Sequence, residues 1–463
     1  MHNSWIENPK NNKKFLITQN KDYSFKDYSN LILEYYDFAR ENIKHKEKIC
    51  FISNNVIEYA VFSNLIPMIG GIFVPLNPKS PKNEIESKMN LIGSKKIIYD
   101  DSIDLEKIKG FIYLKSQKRK NSNNNLKTNW PNENDPFCIL FTSGSSGHPK
   151  AVSITRKNIE FSCKASQENL NVTDKDIWLL CMPPYHAGGL SIIYRSIILS
   201  KIFYILDTFD AYEVMNLIKE SKVSIVSLVP TMLNKILDIM EKNKISAPKD
   251  FNFVLCGGAK IPENLISRAK KSNIKVLPTY GMTEASSQIA TANPEDLDRP
   301  NNSVGKILSG LDIRFSKIKE IQIKGANIAK YLNQKNNSWL ETGDYGYLDK
   351  NGYLFVEGRI DEMIISGGEN INPREIEEEV NKIPEIAESY VFGSDDSYWG
   401  QKVNLYISLI DNNKSLELEE IKKSLSHIDS FKIPKVLHIS KSGIPKLSNG
   451  KIDRKKIEEL INE

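Results

Sequence analysis

The sequence lacks several patterns that would identify a whole class of protein. Its five cysteines are far apart and include no CxxC pair, and its six histidines show no HExxH spacing. These absences argue against a disulfide framework and against the common zinc sites. Because most of the cysteines lie in apolar surroundings, we expect reduced core residues of a cytoplasmic protein.

Long apolar runs and concentrated charge are also scarce. The longest apolar stretch, residues 60–76, is interrupted by Asn64, Pro67 and a glycine pair, and falls short of the ~20 residues of a membrane helix. The N-terminus lacks the apolar region of a secretory signal. A net charge of +5 over 463 residues is not the concentrated basic face of a nucleic-acid binder. We therefore expect no membrane insertion and no nucleic-acid partner, and interpret the basic run at 115–120 as an exposed loop.

Strand-like and helix-like segments alternate along most of the chain. This alternation predicts βαβ units and an α/β fold with layered, mostly parallel sheets. The predicted strands are 48–53, 72–76, 95–100, 223–229, 251–257 and 275–280, and the predicted helices are 23–39, 55–70, 83–93, 211–221, 231–243 and 263–272. Short strands broken by Gly and Asn between 301 and 358 predict a small β-rich subdomain.

The composition changes near Arg359–Asp361. The chain beyond this point is rich in charge and predicts helices at 373–383 and 418–428 and strands at 388–393 and 402–410. We therefore expect a large N-terminal domain over 1–358 and a small α+β C-terminal domain over 362–463. There is no internal repeat, and the sequence leaves a homo-oligomer open.

A run of small residues, TSGSSGHPK at 142–150, follows a predicted buried strand. Glycines let backbone N–H groups approach a ligand closely, and Lys150 adds a positive charge, so the run indicates a phosphate-binding loop. It is not a Walker A loop, because Ala151 follows the lysine and the next residues predict a strand instead of a helix. An isolated run of this kind is more often a flexible polar turn.

Four motifs, in order along the chain, resemble those of the adenylate-forming enzymes, the acyl- and aryl-CoA ligases with their luciferase and adenylation-domain relatives. The first is the loop at 142–150. The others are PTYGMTEASSQ at 278–288, ETGDYGYLDKNGYLFVEGRIDEMIISGGENINPREIE at 341–377 and PKLSNGK at 445–451. One such motif is a weak sign, but four in register indicate this family. The resemblance implies a large AMP-binding domain and a small, mobile C-terminal domain.

The resemblance also implies a two-step reaction. ATP first converts a carboxylic acid to an acyl-adenylate with release of pyrophosphate, and coenzyme A then displaces AMP. The first step brings a carboxylate and the α-phosphate together, so the site must supply positive charge and N–H donors placed for the transition state. The expected partners are a small-molecule carboxylic acid, ATP, Mg²⁺ and coenzyme A.

The family resemblance assigns the phosphate and metal contacts as follows. The residues expected to hold the β- and γ-phosphates are Thr142, Ser143, Gly144, Ser145, Ser146, Gly147 and Lys150. Thr283 is expected to reach the α-phosphate. Glu284, with Thr142, is expected to hold Mg²⁺, a cation that prefers oxygen ligands.

The adenosine contacts follow from the same resemblance. Tyr280 is expected to stack on adenine beside Gly258 and Ala259. Asp344 is expected to bind the ribose hydroxyls, with Arg359 on the other side. Taken alone, these residues would be interpreted as a core aromatic, an Asx-turn and a surface ion pair.

In the C-terminal domain the resemblance implies a catalytic lysine and a hinge. Lys451 is expected to bridge the carboxylate and α-phosphate oxygens, although NGK alone would be a tight turn with a solvated lysine. Asp361, within a hinge at 359–361, matches the position about which the family's small domain rotates between the half-reactions. After rotation, Gly367 and Gly368 are expected to line the pantetheine tunnel.

The segment CMPPYHAGGLSIIYRSIILS at 181–200 resembles the border of the family's acyl pocket. His186 is expected near the acid's carboxylate, with Gly257 and Ser287 beside the substrate. Arg195 lies in an otherwise apolar helix-like run, where a charge is not expected to be fully buried without a partner. That partner is either a protein carboxylate or a second carboxylate of the substrate, which arginine binds with two hydrogen bonds.

Within the family, the chain resembles the o-succinylbenzoate–CoA ligases of menaquinone and phylloquinone synthesis. The segments that carry this resemblance are PPYHAGGLSIIYRS, VPTML, CGGAK and the Ser287–Gln288 pair. The substrate of those enzymes is an aromatic keto-diacid, which fits an arginine in the pocket. Two residues depart from the family pattern: Ala285 stands where a hydroxyl residue is common, which bears on the pocket, and Ala151 replaces a frequent glycine in the loop.

Three alternatives stay open. The chain could be another aryl- or medium-chain acyl-CoA ligase. It could be an amino-acid adenylation domain, although we expect no carrier domain after Lys451. It could be a catalytically silent nucleotide-binding protein, which the joint presence of Lys150, Glu284, Asp344, Arg359 and Lys451 argues against.

Overall fold

A computed structural model describes residues 12–104, 109–119, 128–143, 149–296, 298–332, 339–411, 413–447 and 452–462. The strands in chain order are β1 Lys14–Ile17, β2 Asp22–Ser24, β3 Lys48–Ile52, β4 Ile72–Pro75, β5 Lys96–Tyr99, β6 Ile112–Lys115, β7 Pro136–Ser143, β8 Pro149–Thr155, β9 Ile177–Leu180, β10 Ile202–Ile205, β11 Ile225–Leu228, β12 Phe253–Gly257, β13 Val276–Met282, β14 Ser287–Thr291, β15 Lys306–Ile307, β16 Leu311–Phe315, β17 Glu320–Gly325, β18 Lys330–Tyr331, β19 Leu340–Leu348, β20 Leu354–Arg359, β21 Ile364–Ser366, β22 Glu369–Ile371, β23 Ile386–Asp396, β24 Gly400–Leu409 and β25 Val436–Ser440. The helices are α1 Phe25–Asn42, α2 Val56–Met68, α3 Lys82–Ile92, α4 Arg156–Leu170, α5 Ala187–Leu199, α6 Ala211–Lys219, α7 Pro230–Lys242, α8 Glu263–Lys271, α9 Pro373–Val380, α10 Leu418–Ser424 and α11 Arg454–Asn462.

Two large sheets organise the N-terminal part, so the predicted α/β class with mostly parallel sheets is confirmed. The first has the strand order β15-β14-β13-β12-β11-β9-β10-β1-β2, and its strands from β13 to β1 are parallel. The second has the order β18-β8-β7-β4-β3-β5-β6. Helices follow most of the parallel strands, as the alternation in the sequence predicts.

Strands of the first sheet are buried on both faces. Along β9, Trp178 and Leu180 join the cluster between the two sheets, whereas Leu179 and the following Cys181 join the cluster under α6, α7 and α8. Parallel strands covered by helices therefore appear in the sequence as continuous apolar runs. Among the described residues all five cysteines are buried and free, as expected.

Local signals set the ends of several helices. Ser24 and Asp27 form the predicted capping box at the start of α1. Pro230 occupies the first turn of α7, where its missing N–H costs nothing. Gly93 ends α3 with φ +67°, a conformation that glycine adopts without strain. Helix α10 is shorter than predicted and ends at Ser424, with Leu425 as its C-cap.

Two smaller sheets lie in the rest of the chain. One has the order β16-β17-β19-β20, which matches the predicted β-rich region. The other has the order β22-β21-β24-β23, with β25 beside β24. Helices α9 and α10 cover a core that includes Ile376 and Ile421 on one face of this sheet, and Ile457 of α11 packs with Tyr406 on the other.

The internal contacts divide the chain into two compact units. The first comprises 1–313, 323–340 and 350–354, and the second comprises 314–322, 341–349 and 355–463. The domain boundary predicted at 359–361 stays a prediction. In the part of the chain that the structure describes, no helix combines the length and apolar character needed to cross a membrane.

Candidate active site

The first sheet reverses its strand order between β9 and β11. The chain passes from β9 to its neighbour β10 on one side and then to β11 on the other. In open α/β sheets, ligands bind outside the carboxyl ends of the strands at such a switch point. Several predicted site residues lie at or near these strand ends. His186 follows β9, Gly257 and Gly258 lie at the end of β12, and Tyr280 lies in the last part of β13.

His186 is the N-cap residue of α5, and the tight turn before it explains the glycine pair that follows. A Cβ at Gly189 would lie 2.3 Å from the carbonyl oxygen of Pro183, so only glycine allows the helix to begin this close to the turn. The imidazole is half-buried and makes an edge contact with the Tyr185 ring at 4.9 Å. His186 therefore lies beyond the carboxyl end of β9, and its expected position beside the acid's carboxylate stays a prediction.

Arg195 lies on α5 and is only 3% exposed. Its Nη2 donates to Gln288 Oε1 at 3.2 Å, and its guanidinium lies 4.4 Å from the centre of the Trp178 ring. Its Nε has no hydrogen-bond partner, and none of the described residues gives it a carboxylate partner. Burial lowers the pKa of this guanidinium. The pairing with a protein carboxylate, one of the two expected explanations, is therefore not found within the described residues.

A network of neutral polar groups holds Gln288 in turn. Its Nε2 donates to Thr291 Oγ1 at 2.9 Å, and Thr291 and Thr279 share a hydrogen bond of 2.7 Å between their hydroxyls. Gln288 is 3% exposed. Because every member of this network is uncharged, the positive charge of Arg195 is not neutralised by it. Arg195 lines a small cavity of ≈ 20 Å³, about the space of one water molecule. Ser191 and residues of α4, β7 and β8 also line it.

A bulge between β13 and β14 shapes the YGMTE segment. The register shifts between Tyr280 and Gly281, and a Cβ at Gly281 would lie 1.7 Å from the carbonyl oxygen of Ser287. Thr283–Ala285 then form a short 3-10 turn. The close approach of the two strands requires glycine and turns Thr283 and Glu284 away from the strand direction.

Glu284 is buried, at 6% exposure, and accepts a hydrogen bond from the Tyr331 hydroxyl at Oε1, 2.7 Å away. Its Oε2 has no hydrogen-bond partner among the described residues. The Nζ of Lys150 lies 5.5 Å from the centre of the Tyr331 ring. Tyr331 therefore connects Glu284 with the end of the phosphate loop, a role that the sequence motifs did not indicate.

The phosphate loop is carried by the hairpin of β7 and β8. Thr142 pairs with Lys150 across this hairpin, so both ends of the loop start from fixed positions. The predicted strand after the loop, which argued against a Walker A loop, is confirmed as β8. The loop residues Gly144, Ser145, Ser146 and Gly147, and the side chain of Ser143, lie outside the described residues.

In the second unit, Asp344 and Arg359 lie side by side. Arg359 Nη1 is 3.4 Å from Asp344 Oδ1 and donates to the carbonyl oxygen of Thr342 at 3.0 Å. Arg359 Nε also donates to Asp361 Oδ1 at 3.0 Å. Burial opposes the charge on Asp361, but the hydrogen bond and charge of Arg359 outweigh it, so the pKa of this carboxyl is lowered. The structure thus brings together the predicted ribose residues and the predicted hinge residue.

The remaining predicted residues of this unit are Gly367 and Gly368, expected in the pantetheine tunnel, and Lys451. Gly367 and Gly368 have φ values of +62° and +85°, and a Cβ at Gly367 would lie 3.2 Å from the Trp399 ring. The backbone of this loop therefore depends on glycine. Lys451 lies outside the described residues.

Two segments of the chain match known protein families. Residues 4–327 match the family described as AMP-binding enzyme, and residues 375–451 match the AMP-binding enzyme C-terminal domain. The chain belongs to the AMP-binding enzyme family. The resemblance to adenylate-forming enzymes that the four motifs indicated is thereby confirmed.

Within this family the chain is similar to several 2-succinylbenzoate–CoA ligases. It is 34% identical over 413 residues to a 2-succinylbenzoate–CoA ligase of Oceanobacillus iheyensis, covering 85% of both chains. It superimposes with a TM-score of 0.86 and 26% identity on o-succinylbenzoate CoA synthetase of Bacillus subtilis in complex with its acyl-adenylate intermediate, covering 98% of this chain and 97% of the other. The same TM-score relates it to that enzyme in complex with ATP and magnesium ion, over 96% and 97% of the chains.

The donor set of the first unit fits a nucleotide with magnesium. Glu284 offers one carboxylate oxygen that no described residue occupies, and Mg²⁺ takes one or two carboxylates together with phosphate oxygens. Lys150 contributes a positive charge near the same tyrosine, with its Nζ 5.5 Å from the centre of the Tyr331 ring. Among the described residues no group of three or more His, Cys, Asp or Glu could hold a metal on its own.

Proposed function

We propose that this protein is an ATP-dependent acid–CoA ligase that acts on 2-succinylbenzoate in quinone synthesis. It forms an acyl-adenylate with release of pyrophosphate and then transfers the acyl group to coenzyme A. Membership of the AMP-binding enzyme family supports the reaction, and similarity along most of the chain to 2-succinylbenzoate–CoA ligases supports the substrate.

The observation that carries the choice of acid is the buried charge of Arg195. A cation removed from water is stable only with hydrogen bonds and a compensating charge, and here the described residues supply the hydrogen bond of Gln288 and the Trp178 ring but no anion. A diacid supplies that anion through its second carboxylate.

The other residues take the roles that the family resemblance implies. Glu284 holds Mg²⁺ with Thr142, Lys150 binds the phosphates, and Thr283 reaches the α-phosphate. The residues around adenine and ribose are Tyr280, Gly258, Ala259, Asp344 and Arg359. Those beside the acid are His186, Gly257 and Ser287. Lys451 neutralises the charge that develops between carboxylate and α-phosphate, which is the main requirement of the adenylation step.

Pyrophosphate release against a panel of acids tests the proposal. The panel contains 2-succinylbenzoate, benzoate and octanoate, each with ATP, Mg²⁺ and coenzyme A. We expect kcat/KM for 2-succinylbenzoate to exceed that for either monocarboxylic acid by about 10²-fold or more, because the buried guanidinium is compensated only by a diacid. A higher value for benzoate or octanoate would identify another aryl- or medium-chain ligase, and no release with any acid would identify a silent nucleotide-binding protein.

Replacement of Arg195 separates its substrate role from a structural one. Arg195→Met should raise KM for 2-succinylbenzoate by about 10–100-fold, in the range of a lost charge-assisted hydrogen bond, and leave turnover of benzoate unchanged. Arg195→Lys, which keeps the charge, should show a smaller increase. Steady-state kinetics with both acids, alongside thermal melting, provide the measurement. Equal loss with both acids would mean that Arg195 only supports the fold.

We also place the protein in the cytoplasm. Its five free, buried cysteines suit a reducing compartment, and ATP and coenzyme A are available there.

A further inference from the structure

Glu362 directly follows the predicted hinge residue Asp361 and contacts the last helix of the chain. Its Oε1 accepts a hydrogen bond from Arg454 Nη2, and its Oε2 lies 3.7 Å from Arg374 Nη2. Arg454 is the first residue of α11, and Arg374 lies in the first turn of α9. The Glu362 side chain is 20% exposed, so this charge is partly shielded from water. The Glu362 carboxylate thus links the turn that contains Asp361 to the starts of α9 and α11.

The sequence of α11 explains why a carboxylate is needed at its start. The first turn contains Arg454, Lys455 and Lys456 and no acidic residue. Positive charges at a helix N-terminus oppose the helix dipole, by about 0.3–1 kcal/mol each. Asp453 accepts a hydrogen bond from the backbone N–H of Lys456 at 3.1 Å, and Glu362 adds a second negative charge from outside the helix.

Other contacts hold the same segment to the sheet. Ile452 forms an antiparallel bridge with Lys446, which fixes the chain on both sides of residues 447–451. Ile457 is 1% exposed and packs against Tyr406. These contacts fix the segment relative to the sheet, whereas the pair of Glu362 and Arg454 fixes it relative to the turn that contains Asp361.

A cavity of ≈ 210 Å³ lies beside this pair. Its lining includes Glu362, Arg454, Glu377 of α9 and Tyr390 of β23. Ile457 also lines this cavity, so its apolar packing and the ion pair together hold the start of α11 near Glu362. The Arg454 side chain is 44% exposed, so the ion pair contributes about 0–1 kcal/mol to stability; its effect is to join the start of α11 to Glu362 beside this cavity.

We propose that Glu362 is a positioning residue for the adenylation step and acts through Arg454. This inference rests on the proposed function, in which Lys451 contacts the reacting carboxylate and phosphate. Lys451 precedes Arg454 by three residues in the sequence, so the contact of Glu362 with Arg454 is only three residues away from the lysine along the chain. A misplacement of about 1 Å at a reacting group lowers the rate by about 10²-fold. Transfer to coenzyme A does not use this lysine and does not depend on the pair.

The test compares the two half-reactions in Glu362→Gln, Arg454→Gln and the double variant of the full chain. Adenylation is measured by ATP–pyrophosphate exchange with 2-succinylbenzoate, and transfer by reaction of supplied acyl-adenylate with coenzyme A. Each single variant should lower kcat for exchange by about 10–100-fold, with KM for ATP and the transfer rate within about twofold of the unmodified protein. The double variant should be no slower than the slower single variant, because both single changes already remove the contact between Glu362 and Arg454.

Two further variants serve as controls. Glu375 lies on α9 like Arg374 but pairs with Lys432 at 3.0 Å, so Glu375→Gln should leave both half-reactions unchanged. Arg454→Lys keeps the charge and should retain most of the exchange activity. The inference is overturned if Glu362→Gln exchanges pyrophosphate as fast as Glu375→Gln, or if it slows both half-reactions equally together with a lower melting temperature. If the unmodified protein shows no exchange with any acid, the proposed function fails before any variant is compared.

Discussion

At the scale of single residues, Arg195 and Glu377 are two ionisable side chains for which the described part of the chain provides no ion-pair partner. Arg195 has an amide and an aromatic ring as neighbours, and Glu377 has one backbone N–H, from Val391, at its Oε1. Burial disfavours the charged form of each side chain, so it lowers the pKa of Arg195 and raises the pKa of Glu377 to about 7. The charge of Glu377 therefore changes near neutral pH.

The charge of Glu377 makes stability depend on pH. The unfolded carboxyl ionises near its ordinary pKa of 4.5, whereas the pKa of the folded one is raised to about 7 by burial. The stability that this one group contributes is therefore fully present below pH 4.5 and is lost as the pH rises through about 7. Glu377→Gln keeps the acceptor for Val391 and removes the charge. We expect it to stabilise the protein by about 1–3 kcal/mol at pH 8.5 and by much less at pH 5.

Thermal unfolding at both pH values measures this effect. Glu379→Gln on the same helix is the control, because Lys382 and then His427 lower the pKa of Glu379, so its removal should not stabilise at pH 8.5. A Glu377→Gln variant with the same gain at pH 5 and at pH 8.5 would contradict the assignment.

Lys451 is the residue whose replacement should divide the two half-reactions most sharply. Lys451→Ala should lower adenylate formation by at least the ~10²–10³-fold lost with one oxyanion-hole donor, because the lysine neutralises charge that develops only in that step. Transfer from supplied acyl-adenylate to coenzyme A should continue. Pyrophosphate exchange and thioester formation, measured separately, provide the readout, and equal loss of both would refute this role.

At the scale of elements, the β13–β14 bulge links the adenine and metal residues to the acid pocket. Strand β13 carries Tyr280, the turn after it carries Glu284, and β14 carries Gln288, which contacts Arg195. The position of all of them depends on how closely the two strands approach at Gly281.

Gly281→Ala should therefore damage both stability and catalysis. Its Cβ would meet the Ser287 carbonyl oxygen at 1.7 Å, so the strands must move apart, at a cost of about 1–3 kcal/mol. Gly188→Ala is the control, since its Cβ would meet only the flexible end of Met182 at 2.8 Å. Melting temperature and pyrophosphate exchange measure the effect; a Gly281→Ala protein that matches Gly188→Ala in both would contradict it.

At the scale of the whole molecule, the proposed mechanism requires the C-terminal part to change orientation between the half-reactions. Asp361 is the predicted hinge, and it lies in a short 3-10 turn between β20 and β21 with its carboxylate bound to Arg359. A hinge needs freedom in φ and ψ at a few residues.

Asp361→Pro should restrict that freedom. Proline fixes φ, so thioester formation should slow by about tenfold or more while adenylation changes little. Asp361→Ala removes the contact with Arg359 but leaves the backbone free, and so separates loss of the ion pair from loss of rotation. Single-turnover measurements of each half-reaction give the comparison. Unchanged thioester formation in Asp361→Pro would count against the hinge.

The sequence predicted most of the parallel strands and helices of the N-terminal part, because a covered parallel sheet produces apolar runs alternating with amphipathic helices. It did not predict short strands such as β1, β14 and β18. Their few residues form strands through pairing with distant partners, as in the pairing of Lys330 with Ser153, and a local pattern does not contain that information.

The amino-acid sequence by itself determined the family, the order of its motifs and the residue types that the chemistry needs, since these depend on spacing along the chain. Only the tertiary structure decided which charges are balanced. The amide partner of Arg195, the tyrosine between Lys150 and Glu284, and the link from Glu362 to Arg454 each join residues far apart in sequence. Electrostatic and hydrogen-bond energies depend on distance and burial in three dimensions, which the linear order of residues does not specify.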